Sequence, residues 1–459
     1  MMARQRAILA SCVLLTLLST WVLSPVANAA HPRASVTLTM LWRTSPSEVP
    51  ALRSVAAAFH SHYPNITVQP IIVTHDNYEP KLSALIAAGT PPDLFSSVGD
   101  SGFVDYALRG LGLNQQPFIQ ADHYDLSDFY PQAIQALQWK GQQLALPLGG
   151  GPSLMFYNVD LFKKAHLPPP PTNWDDRTWT WDKMVDYAKK LTLDDKGRNA
   201  TDPIFDWKHT VQWGINPGLW PLDSYAWLWG CSWFPVATGL PSKNSIDTHC
   251  VTDSLQKVAD LSVRYHVAPN PIQQQRFKMF QDPFVSGKIA MGMTGVWFLE
   301  TNSTTIRRFH WAVAAVPLGK VRKDVLFTDP MMISKGSHHP KEAWQFVKFL
   351  LSPEGQGIFM KGYCCLSMRK SMLSSVLASK APPGQPFSQV QQAVLGAFAH
   401  AQESSNHNIA QWAAIENLVN AELADVWNGK KTMAQEAPTL QAKLNSLLQQ
   451  NIKRFGSGR

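Results

Sequence analysis

Cysteine is scarce in this chain, and long apolar runs are missing once the first residues are passed. Of 459 residues only five are cysteine. The four beyond the N-terminal segment, Cys231, Cys250, Cys364 and Cys365, match no zinc-ligand spacing. No later stretch is long and apolar enough to cross a bilayer. Charge is thin as well, at 16% of residues, with a formal net charge of +8. That excess forms no basic run with interleaved aromatics, so nucleic acid is a poor partner. No glycine cluster has the form of a phosphate loop, and no internal repeat is visible. Nor does any pattern pair two carboxylates for acid–base work on a glycosidic bond. Gly99-Asp100-Ser101-Gly102 looks like a serine-protease fragment, but Phe103 stands where a second glycine belongs.

What is present begins with an address. Arg4 and Arg6 precede a mostly apolar stretch, Ala7 to Val22, which Pro25 ends. Ala27-Asn28-Ala29 then has the small-x-small form of a cleavage site, so residues 1–29 read as a secretory signal peptide. An uncleaved anchor is the alternative reading. An exported chain can oxidise its cysteines. Cys231 and Cys250 flank a segment rich in turn residues (Pro235, Gly239, Pro241, Asn244), and a hairpin there would join them as a disulfide. Cys364 and Cys365 are adjacent, which ordinary disulfide geometry does not fit, so they are free or form a strained vicinal ring.

The rest reads as alternating strands and helices, too long for one small core and suited to two large lobes. Strands are expected at Val36 to Leu41, Ile66 to Val73 and Leu94 to Val98, with helices over Val49 to His62 and Tyr78 to Ala88 between them. Gly89 can take the positive φ that closes a helix, and Pro91-Pro92 cannot continue one. In open α/β sheets ligands sit outside the carboxyl ends of strands. That places Ser97 and Asp100, and after the second strand Asp76 and Asn77, where a small polar molecule would be held. Leu144 to Leu148 runs into Gly149-Gly150-Gly151, read as a hinge crossing, and Val325 to Thr328 reads as a second crossing with Asp329 beside it. Tryptophan is dense, 17 in all, with six between Trp207 and Trp233.

Five stretches in order resemble a known family. They are Phe59 to Val68; Ala87-Ala88-Gly89-Thr90-Pro91-Pro92-Asp93; Pro147 to Phe162; Phe284 to Trp297; and Ile333 to Glu354. The chain is similar to the extracellular solute-binding proteins of ABC-type sugar importers, the family that includes maltodextrin-binding proteins. The resemblance implies an α/β, two-lobed periplasmic-binding-protein-like fold, with discontinuous lobes joined by hinge strands. Lobe 1 is expected at 36–148 plus 328–372, and lobe 2 at 149–327 plus 373–459. It also implies a monomer without cofactor that hands a carbohydrate to a membrane permease, acting as a binder and not an enzyme.

A sugar needs an aromatic plane for its C–H face and acids, amides or hydroxyls for its rim. Trp297 matches the family's stacking position and Asp100 its hydroxyl-binding acid. Trp42 follows the first strand, Trp229 and Trp233 lie by the expected hairpin, and Trp412 begins a late helix from which the family often returns a residue to the cleft. Trp344 reads as core, Asp93 as a structural cap and Arg369 as the partner of a lobe carboxylate. Two departures from the family stand out: Cys364-Cys365 replaces a proline-containing turn, and Gly149-Gly150-Gly151 offers no carboxylate where some maltodextrin binders carry one. Maltodextrin itself is therefore disfavoured. The competing readings are a binder of a polyamine, peptide, glycerol-phosphate or metal chelate, a secreted carbohydrate-active enzyme, and a membrane-tethered sensor.

Overall fold

A computed structural model of the chain describes residues 35–43, 48–74, 77–96, 102–218, 221–235, 238–280 and 282–456. The expected signal peptide, together with Asp76, Ser97 and Asp100, lies outside the described residues.

Among the described residues eight strands form the main sheet: β1 (Val36–Arg43), β2 (Ile66–Val73), β3 (Leu94–Phe95), β4 (Ala145–Asn158), β5 (Met291–Gly295), β6 (Trp311–Ala314), β7 (Asp324–Ile333) and β8 (Ala401–Glu403). Their order is β6-β4-β7-β3-β1-β2, with β5 also on β4 and β8 on β7. β1 runs parallel to both β2 and β3, whereas β7 and β4 are antiparallel. The helix Val49–His62 forms as its spacing predicts, burying Leu52, Val55 and Phe59 on one stripe. The helix Tyr78–Ala87 ends at Gly89, whose φ is 71°.

β4 carries the glycine cluster read as a crossing. The glycine cluster does not break it: all 14 residues from Ala145 to Asn158 are one buried strand. Its side chains alternate between two apolar cores, Leu146, Leu148, Leu154 and Phe156 in one, Met155 and Tyr157 in the other. β7 divides in the same way, with Leu326, Met331 and Ile333 in the first core and Val325 and Phe327 in the second. Pairing with β7 supplies the ladder bonds that hold the glycines extended: Gly149, Gly150 and Gly151 face Asp329, Thr328 and Phe327. Gly150 sits at φ 141°, and a Cβ there would lie 1.9 Å from the Phe327 carbonyl oxygen. Only glycine lets the two strands approach so closely.

The Cys231–Cys250 disulfide is formed, with Cα atoms 6.2 Å apart. The hairpin expected between them is absent among the described residues. Cys231 follows the short helix Ser224–Trp227, and Cys250 lies in the first turn of the helix His249–Val263. Packing between these helices, not strand pairing, brings the sulfurs together.

Candidate functional site

β5 ends at Gly295, and Trp297 stands at the start of the helix Phe298–Thr305. The indole folds back over Gly295, where a Cβ would sit 1.9 Å from the ring. Trp297 is half-buried and packs against both apolar cores. Its ring meets Phe327 edge-to-face at 4.8 Å, and Phe327 meets the His407 ring at 5.9 Å.

From His407 a polar chain runs back into β7. His407 Nδ1 lies 2.6 Å from Glu403 Oε1, and both side chains are buried. Glu403 also accepts from the Thr328 amide at 3.0 Å and the Thr328 hydroxyl at 2.6 Å. The next residue, Asp329, accepts from the Tyr363 hydroxyl at 2.6 Å. Burial pushes the Asp329 carboxyl above the usual carboxylate range, and the Tyr363 bond offsets this in part. Tyr363 in turn packs on Trp42 at 6.0 Å, and Trp42 meets Phe359 edge-on at 5.6 Å. Lys380 Nζ donates to the Tyr363 carbonyl and lies 3.3 Å from Glu300 Oε2.

Of the residues expected from the sequence, Trp42 and Asp329 both contact Tyr363, and Trp297 contacts Phe327, two residues before Asp329 in β7; Trp42, 1% exposed, lies in the first apolar core. Sequence reasoning missed Tyr363, His407, Glu403 and Phe327 as companions. Phe327 carried a signal as part of the second crossing, while nothing marked the other three.

The remaining expected residues lie elsewhere. Trp229 packs edge-on against Trp181 at 5.2 Å with Lys257 over its ring. Trp233 and Trp412 are each 1% exposed, within the second core, and Trp412 meets Phe234. Asn77 caps the turn after β2, donating to Thr74 Oγ1 at 2.8 Å. Trp344 is core and Arg369 pairs with Asp128 at 2.9 Å, as read from the sequence. Asp93 has the structural role expected, accepting from the Thr39 amide and the Ser337 hydroxyl.

Residues 45–357 match the family model described as bacterial extracellular solute-binding protein. The chain belongs to that family. Among relatives of this solute-binding protein, a binding protein of Brucella abortus is 24% identical over 363 residues, covering 78% of this chain and 80% of the relative. The maltotriose-binding protein of Pyrococcus abyssi is 23% identical over 325 residues, covering 69% and 63%. An ABC substrate-binding protein from Listeria monocytogenes, solved in complex with cycloalternan, superposes with a TM-score of 0.74 at 23% identity, covering 90% of this chain and 99% of that one. The fold is the two-lobed one of periplasmic solute-binding proteins. Among the described residues of this solute-binding protein, no helix is long and apolar enough to cross a membrane.

Proposed function

We propose that this protein is the exported substrate-binding component of an ABC importer, capturing a carbohydrate between two lobes and delivering it unchanged to a membrane permease. The lobes are 36–148 plus 328–372 and 149–327 plus 373–459, bending at Leu146–Gly151 and Phe327–Pro330. The observation that carries the reading is half-buried Trp297, in contact through Phe327 with His407 and through His407 with Glu403, which binds Thr328 beside Asp329 and Tyr363. It offers one partly exposed indole plane, that of Trp297, with acids, an imidazole and a phenol behind it, the chemistry a sugar's face and rim require. The cycloalternan-bound and maltotriose-binding relatives support the same ligand class. Closure follows because contacts from both lobes exist together only in the closed form, so ligand shifts the population.

A thermal-shift screen over mono- and oligosaccharides tests this, since a ligand of the folded state raises its melting temperature. The expected result is at least one saccharide hit, recovered intact after long incubation. No hit across the panel, or recovery of cleaved sugar, rejects the reading.

A further inference from the structure

With Cys231 and Cys250 joined, two cysteines remain among the described residues. Cys364 and Cys365 are free thiols with their Sγ atoms 3.4 Å apart. Both flanks of the pair are pinned. On one side Tyr363 donates to Asp329, and its carbonyl accepts from Lys380. On the other, Leu366 exchanges two backbone bonds with Gly150 in the middle of β4, at 3.0 and 2.9 Å. The dipeptide thus stands in the turn that grips the crossing strand, beside Asp329 and Glu48. Cys364 is half-buried and Cys365 is buried.

We propose that Cys364 and Cys365 are joined as a vicinal disulfide in the exported protein, and that the small ring stiffens the turn holding Gly150 and so strengthens ligand capture. The second half rests on the carbohydrate-binding reading; the bond itself does not. The chain belongs to an extracellular family and already carries one disulfide, so it meets a thiol oxidant. The sulfurs need to approach by little more than an ångström to reach a bond length of about 2.0 Å. The oxidant is the disulfide of an exported thiol oxidoreductase. One cysteine thiolate attacks it, giving a mixed disulfide and releasing a thiol. The neighbouring thiolate then attacks the mixed disulfide, forming the Cys364–Cys365 bond and releasing the second thiol. Two protons and two electrons leave this chain and reduce the donor. The hydrogen bond with Cys364, together with burial, pushes the Cys365 thiol well above its ordinary value. Thiolate attack is therefore slow once the turn is packed, and the bond forms before that burial is complete.

Loop-closure entropy separates the two pairs. Cys231–Cys250 closes a loop across a sequence separation of 19 and restrains the unfolded chain. A bond between neighbours closes almost nothing, so its effect is local: a rigid turn and two lost S–H groups. The readout is accordingly ligand affinity and not melting temperature.

The full-length exported protein, purified without reductant, is alkylated under denaturing conditions and digested with trypsin. The peptide from Gly362 to Arg369 is expected unalkylated and lighter by two hydrogens than its dithiol form. Alkyl groups on both cysteines overturn the bond. Affinity for the saccharide found in the screen is then measured with and without dithiothreitol. Reduction is expected to weaken it by about threefold or more, the size of a lost preorganisation term. A Cys364→Ser/Cys365→Ser variant is expected to bind like the reduced protein and to ignore the reductant, which removes Cys231–Cys250 as the cause. Unchanged affinity on reduction overturns the coupling to capture. If no saccharide binds at all, the functional proposal fails while the peptide mass still decides the bond.

Discussion

Trp297 earns its place by what surrounds it. Its ring needs the bare face of Gly295 on one side and the Phe327 edge on the other, and it remains half-buried between two cores. Trp297→Ala is expected to abolish the saccharide-induced melting shift while lowering ligand-free stability by only ~1–3 kcal/mol, which denaturant titration would register. An unchanged shift removes Trp297 from the site. Asp223 is a different case. It is fully buried, accepts from the Ser405 hydroxyl, and burial pushes its carboxyl from the ordinary 3.8 up to about 7. Between those values the folded protein holds a proton that the unfolded chain has released, so stability falls as pH rises through this window and levels off above it. The loss is on the order of 4 kcal/mol. Asp223→Asn carries no such proton and is expected to flatten the change in melting temperature between pH 5 and pH 8. A variant whose pH dependence matches wild type would show that Asp223 does not titrate in that window.

β4 runs unbroken through the glycines and prolines at 147–152. Residue by residue they lack strand preference, but the strand's partner is distant in sequence and supplies the pairing. The close approach to Phe327 leaves no room for a methyl group. Gly150→Ala is expected to cost upwards of ~3 kcal/mol in chemical denaturation, since both φ and the backbone contact forbid it. A loss under ~1 kcal/mol would mean that the two crossing strands can separate far enough to admit a methyl group. Ile66–Val73 and Val49–His62 were readable from periodicity alone, because a half-buried strand and an amphipathic helix carry their burial pattern in their own residues. The Cys231–Cys250 pairing was readable and its hairpin was not: turn-forming residues need not join strands. Serine at both positions is expected to remove ~3 kcal/mol of stability, measured against wild type without reductant.

At the scale of the molecule, Asp105 in the helix Phe103–Leu108 accepts from both the amide and the side chain of Gln411, each at 2.9 Å. In the proposed lobe assignment this bond pair spans the two lobes, so it holds only while they are together. Asp105→Ala is expected to raise the ligand-free radius of gyration in small-angle scattering and weaken saccharide affinity several-fold. Equal scattering profiles with and without the substitution would place Asp105 outside the closure contact. Within one chain, sequence alone determined the alternation of strands and helices and the place of Trp297 just past the end of β5, whereas Trp42, expected after the first strand, lies within β1. Alternation and strand ends are local properties, written in periodicity, turn chemistry and composition. Tertiary structure alone decided that Tyr363, Glu403 and His407 join Asp329, and that Trp233 and Trp412 belong to a core. Those outcomes depend on β8 pairing with β7 and on helices closing over the sheet, contacts between segments far apart in the chain, for which no local pattern exists.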